Sequence, residues 1–250
     1  MNVTYLRIDL VRQVRDWGNI MFVLLMPVVM YLIFGVSMSY ADQQAGNANV
    51  SFYVMTSMAA YGGALAATTV AGGAALEQMQ GWGRQLALTP VRNSMVVAMK
   101  VVTALCITTL SIALVYLTGY LAGAKADSAR VWVLSFLVTL VGATTFALFG
   151  YMVAALFKSE SALGVATGFL VLMSFVGNVF MPLTGTMLEV AKFTPLYGYV
   201  ALARWPNMEG TLVDGQGSDS FWMLLLNLVV WLAVFGGLAI WGVKRGQKRQ

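Results

Sequence analysis

The chain has 250 residues, 59% of them hydrophobic and only 10% charged, with a mean hydropathy of +0.77. A water-soluble domain carries about a quarter charged residues, so this composition specifies an integral membrane protein, and its net charge of +5 reports Lys and Arg gathered in loops on one side rather than an affinity for nucleic acid. There is no histidine and a single cysteine, Cys106, which excludes Ser-His and Cys-His catalysis, a disulfide framework and the commonest metal ligand.

Residues 1–18 lack the apolar core and cleavage site of a signal peptide and are expected to form an interfacial amphipathic helix. Val3, Leu6, Leu10, Val14 and Trp17 fall on one face at spacings of three and four, and Asp9, Arg12, Gln13, Arg15 and Asp16 on the other. The first transmembrane span is expected at 20–38, with a kink near Leu25–Met26 ahead of Pro27. A short loop leads to the second span, 52–76, where Gly63, Ala67, Ala71 and Ala75 form a small-residue stripe that lets another helix come close. The segment 77–92 then breaks the apolar sequence with Glu77, Arg84 and Arg92, a Gly-Trp-Gly around Trp82, a short apolar run Leu86–Leu88 and the stop Thr89-Pro90.

The third span is expected at 94–121, with Lys100 snorkelling to the interface as an anchor and Cys106 as an inert packed thiol. A fourth span, 131–156, carries a second small row, Ala143, Ala147 and Gly150. A tight turn with Lys158 and Glu160 precedes the fifth span, 162–181. Residues 182–220 read as an outer segment of short amphipathic helices broken at Pro195, and the sixth span is 221–243. The fold class is therefore an all-α membrane protein, a single transmembrane domain over 1–250 with six transmembrane helices. Eleven Lys or Arg lie in the N-terminal helix, in 77–100, in the Lys158 turn and in the tail, against four (Lys125, Arg130, Lys192, Arg204) on the other side. The positive-inside rule puts both termini and 77–92 in the cytoplasm.

No phosphate-binding GxxxxGK[ST], HExxH, CxxC or GxGxxG occurs, and no acid sits at the middle of a span. The chain reads as a transport pathway whose energy arrives from elsewhere, with no cofactor or metal of its own. Two other classes remain open on the residues alone. One is an intramembrane enzyme, disfavoured by the missing histidine and paired acids. The other is an immunity or sensor protein that transports nothing.

The order of features resembles the membrane subunit of a type-2 ATP-binding-cassette (ABC) exporter, a plan shared by daunorubicin-exporter-like permeases, polysaccharide-export permeases and G-subfamily half-transporters. The resemblance is carried by the amphipathic start, the Pro27-bearing span running to Phe34-Gly35, the second span ending at Glu77, Arg84 leading into Leu86–Leu88, Thr89-Pro90 and Arg92, then Pro182 and Phe193-Thr194-Pro195-Leu196-Tyr197. The run Gln78-Met79-Gln80-Gly81-Trp82-Gly83 departs from the more charged run of relatives. The resemblance implies that 77–92 is a coupling helix resting on a separate ATPase subunit. In that role Glu77, Arg84 and Arg92 make polar contacts, and Trp82 or Leu86 is the apolar knob. The helix over Arg7–Trp17, with Arg12 and Asp16, is implied to touch the same partner, and Pro182–Arg204 to re-enter the outer face. It further implies a homo- or heterodimer of permeases in a bacterial plasma membrane, with ATP and Mg held by the partner. The implied pathway is lined by spans two and five, through Thr68, Thr69, Ser174 and Asn178 and the adaptable Met173 and Phe175. Buried polar side chains of this kind also serve simply to bond a neighbouring helix. Outward movement of drug-like amphiphiles is the first implied function, lipid or glycan export the second.

Overall fold

The computed structural model describes residues 3–79, 93–212 and 217–247. Helix α1 (Val3–Arg15) leads into α2 (Trp17–Tyr31), which continues as a π-helical turn over Leu32–Val36. A two-residue hairpin, Gln44–Ala45 against Ala48–Asn49, precedes α3 (Val50–Glu77). Then follow α4 (Asn93–Leu121), α5 (Ala129–Phe157), α6 (Glu160–Val176), α7 (Gly185–Ala191), α8 (Pro195–Met208) and α9 (Phe221–Gln247). Among the described residues five helical stretches are long and apolar enough to cross a membrane: Trp17–Val36, Val50–Glu77, Val97–Leu121, Ala129–Phe157 and Phe221–Arg245. The expected fifth span is shorter than 162–181: α6 has 17 residues and ends at Val176. At 1.5 Å per residue that is about 26 Å, under the ~30 Å of a bilayer core.

Helix α3 is the axis of the bundle. In its most apolar window 89% of residues are buried, against 17% for α9, so α3 is wrapped by protein while α9 shows most of its surface to lipid. It packs on α2, α4, α5, α6 and α8. Small residues make this possible, with a division of labour the sequence pattern did not separate. The closest approach is between α3 and α5, where a Cβ on Gly150 would run into the backbone of Thr68 and one on Gly72 into Leu163 and the Gly150 carbonyl. The stripe Ala67, Ala71 and Ala75 instead floors a lateral cleft of about 470 Å³ between α4 and α5, walled by Val101, Leu105 and Leu148.

Pro27 causes no break in the helix assignment: α2 runs through it to Tyr31, and the irregular turn comes later, at Leu32–Val36. Proline cannot donate to the carbonyl four residues back, and an unsatisfied carbonyl at membrane depth is costly. Here Ser111 Oγ on α4 donates to the Val23 carbonyl at 3.1 Å, and the Pro27 ring lies against Gly62 of α3, where a Cβ would come within 3.0 Å of it. Both neighbours therefore adapt to the proline.

Two outer features differ from expectation. Pro195 starts α8 rather than breaking a helix: Thr194 caps it, accepting from the Tyr197 N–H at 3.3 Å, and proline at the first turn sacrifices no bond. Helix α8 is also no surface helix. It inserts against α3, α5 and α9, with Tyr199 fully buried, its hydroxyl donating to the Thr139 carbonyl at 2.7 Å and its ring lying on Gly142. Cys106 is exposed on the flank of α4 rather than packed inside.

Both ends of the described chain lie on one face of the bundle, called basal here. Arg12 of α1 reaches Glu77 at the end of α3, and Gly242 of α9 packs on Ala155 and Leu156 at the end of α5. The opposite, distal face is tied by the hairpin: the Asn47 N–H donates to the Asn207 carbonyl (2.8 Å), its side chain reaches Glu209 (3.0 Å), and its carbonyl accepts from the Asp127 N–H (2.9 Å).

Candidate functional site

The basal face carries a cluster of four charges drawn from three helices. Lys100, one or two turns into α4, is only 8% exposed. It does not snorkel to the surface. Its ammonium donates to Asp9 of α1 and, at 2.9 Å, to Glu77 of α3. Arg12 donates to the other oxygen of Glu77 and lies 3.7 Å from Asp9. Two cations and two carboxylates thus form a neutral cluster, with Asp9 and Lys100 buried and Arg12 at its exposed edge. A buried charge needs a partner to be tolerated at all, and here each of the two buried charges has the other. One Asp9 oxygen, Oδ2, is left buried with no partner among the described residues.

This pairing explains how α1 is rotated. The expected apolar face divides: Leu6 and Leu10 turn toward the bundle, while Val14 and Trp17 are exposed, as are Ile8 and Val11. Asp9, assigned by periodicity to the polar face, is buried at 5% exposure because Lys100 draws it inward. The cluster also brackets the segment 77–92, since Glu77 ends α3 and Lys100 lies in the helix that follows it.

Beside the cluster, a groove of about 400 Å³ separates α2 from α6, with α3 at its back. Phe22, Leu76 and Leu163 give it apolar walls, Thr69 and Thr167 add hydroxyls, and Asp16, Glu77 and Glu160 stand on its rim. The groove is open at Gly73 and Gly164, where a Cβ would meet nothing within 4 Å.

The predicted partner-contact residues fall into three groups. Arg12 and Glu77 are brought together in the cluster. Asp16 caps α2, accepting from the Asn19 N–H at 3.4 Å, and lines the groove. Trp82, Arg84, Leu86 and Arg92 lie outside the described residues.

The predicted pathway residues are dispersed. Thr69 lines the groove, its hydroxyl also donating to the Leu65 carbonyl at 2.8 Å. Thr68 is turned the other way, fully buried in the α3–α5 contact and donating to the Phe146 carbonyl at 3.1 Å. Ser174 is buried and bonded to Leu170 of its own helix (2.7 Å). Met173 is half-buried against the core, and Phe175 is exposed with its ring edge-on to Phe180. Asn178 makes a left-handed turn just after α6, its side chain accepting from the Leu183 N–H at 2.8 Å and its carbonyl accepting from Arg204 at 3.0 Å.

Asp9 and Arg204 were not singled out from the sequence, and Lys100 was assigned a different role. The signal for the first pair was present: a lysine inside a span needs a carboxylate within reach, and Asp9 and Glu77 are acids at the matching depth. Arg204 gave a weaker sign, a lone cation in an aromatic-rich stretch.

The family described as ABC-2 type transporter matches residues 3–205, four-fifths of the chain. The protein named "Putative transport permease YvfS" of Bacillus subtilis (strain 168) is 25% identical over 232 residues, covering 91% of this chain and 90% of that protein. Members of that family are membrane transport components, not themselves catalytic. On the breadth of that family match, this chain belongs to the ABC-2 type transporter family of membrane permeases.

Proposed function

We propose that the chain is the permease subunit of an ABC exporter, moving an amphiphilic, drug-like molecule outward on energy from ATP hydrolysed by a separate subunit. Association with an ABC ATPase is a general property of the family. The observation that carries the mechanism is the cluster Asp9–Arg12–Glu77–Lys100. It ties α1, the end of α3 and the beginning of α4 into one basal plate around the segment 77–92. A displacement of that segment by a partner is then delivered to three helices at once rather than absorbed in a loose loop. In this reading Trp82, Arg84, Leu86 and Arg92 meet the ATPase, Asp16 borders the contact, and Glu77 and Arg12 transmit the motion instead of touching the partner alone.

The groove beside α6 supplies the inner end of the pathway. Its mixture of apolar wall and polar rim suits an amphiphile, and Thr69 is the pathway candidate that faces it. Thr68, Ser174 and Asn178 act by holding the helices that frame the route, with Met173 and Phe175 as its adaptable wall. The positive-inside count supports a cytoplasmic basal face in a bacterial plasma membrane. A second permease, of the same or another chain, completes the pathway. The test is recovery of an ATPase subunit from mild detergent with wild type and with Arg84→Glu, Trp82→Ala. Recovery with the first and loss with the second is expected; absence from both would remove the exporter reading and leave a sensor or immunity role.

A further inference from the structure

The distal half of the molecule buries a cation to which the described residues offer no counter-ion. Arg204 of α8 is 6% exposed. Its Nε and Nη2 donate to Ser57 Oγ at 2.8 and 2.6 Å, Nη2 also to the Asn178 carbonyl at 3.0 Å, and its plane lies 4.0 Å over the Tyr53 ring. All of these partners are neutral. No carboxylate of a described residue comes within salt-bridge distance of it. Burying a guanidinium without an opposing charge is costly even when its hydrogen bonds are made.

The remaining nitrogen, Nη1, makes no hydrogen bond to a described residue, yet it is not among the sealed, unpartnered atoms. Arg204 lines a cavity of about 170 Å³ together with Tyr53, Thr184, Tyr197 and Asp219. The space is several times the ~30 Å³ share of one water. Asp219 is the one acid among the described residues of this lining, and it is engaged elsewhere: Tyr197 donates its hydroxyl to Oδ2, and Lys192 lies 3.8 Å from Oδ1. Burial and that same hydrogen bond push the Tyr197 phenol well above its usual range, so it stays a neutral donor to Asp219.

We propose that this cavity binds one oxyanion group, a carboxylate or a phosphate, through the unbonded Nη1 of the Arg204 guanidinium. With Nε committed to Ser57 and Nη2 to Ser57 and the Asn178 carbonyl, Nη1 is the nitrogen left to make a charge-assisted hydrogen bond to an oxyanion oxygen. The Thr184 hydroxyl, which caps no backbone group, is a second donor on the lining. Asp219 opposes the bound charge and keeps the affinity modest, as suits a site from which a ligand must leave.

The test uses the full chain in a neutral maltoside detergent. The thermal unfolding midpoint is followed against inorganic phosphate, acetate, and mixed micelles of phosphatidic acid or phosphatidylcholine. A saturating rise is expected with phosphate or acetate if a free anion suffices, or with phosphatidic acid alone if a lipid headgroup is the source; phosphatidylcholine serves as the reference. Asp219→Asn removes the opposing charge and should lower the half-saturating concentration roughly tenfold, the scale on which one neighbouring charge shifts a buried ionisation. Ala201→Phe fills the cavity and should abolish the rise. Should that variant fold poorly, Asp219→Asn carries the test alone, because it leaves the cavity its shape. A rise that never saturates and is equal in wild type and Asp219→Asn is a general salt effect and overturns the proposal. So does the absence of a rise with phosphate, acetate and phosphatidic acid alike.

Discussion

Lys100 and Arg12 both pair with Glu77, and their environments predict opposite consequences. Removing Lys100 as Lys100→Met leaves the buried Asp9 carboxylate only the half-exposed Arg12 at 3.7 Å, a loss of about 3–5 kcal/mol. Arg12 is 46% exposed, so Arg12→Ala should cost no more than about 1 kcal/mol. Denaturant unfolding in mixed micelles separates the two, and the double variant Asp9→Asn, Lys100→Met should recover part of the larger loss. Equal effects from the two single variants would show that the cluster is solvated. Ser111 offers a second residue-scale test. Ser111→Ala strands the Val23 carbonyl that Pro27 leaves unserved, at about 1–3 kcal/mol.

Such pairings were only partly legible in the sequence. Hydropathy pointed to the five long apolar helices because burial in lipid acts on composition. The rotation of α1 about its own axis depends on one ion pair to a residue 91 positions away, which no local periodicity contains. Periodicity therefore grouped Val14 and Trp17 with Leu6 and Leu10 and sent Asp9 outward.

Between elements, contact distance decides what can change. At Gly150 the backbones of α3 and α5 meet, and a β-branched side chain has no room. Gly150→Val is expected to prevent assembly, read as loss of the monodisperse peak in size-exclusion chromatography. Gly164→Ala, on the open wall of the groove, should leave that peak unchanged. Small-residue rows announced close packing without saying which row would be used, since an alanine stripe can floor a cleft as readily as seat a helix. Helix α8 was least legible. Its aromatic residues and its arginine resemble an interfacial segment, and only Tyr199 bonding to Thr139 and Arg204 bonding to Ser57 reveal that it is held inside the bundle. The shortness of α6 was hidden in the same way, because Val179, Phe180 and Met181 remain apolar after the helix has ended.

For the molecule as a whole, the charge asymmetry gives an orientation that can be read directly. In a Cys106→Ser background, Tyr40→Cys on the distal side should react with a membrane-impermeant maleimide in intact cells. Lys158→Cys should react only after the membrane is opened. The reverse pattern would invert the proposed orientation and with it the direction assigned to transport.

The Gly150–Thr68 contact also constrains how such a permease can move. Two backbones in van der Waals contact, reinforced by the Thr68 bond to Phe146, cannot part without opening a void along most of their length. Helices α3 and α5 therefore behave as a single stator, and α8, clamped to both through Ser57 and Thr139, travels with them. The freedom left in the bundle lies across the α2–α6 groove, where no side-chain hydrogen bond or ion pair among the described residues joins the two helices. A disulfide stapling α3 to α5 should leave the working cycle intact, whereas one stapling α2 to α6 should stop it.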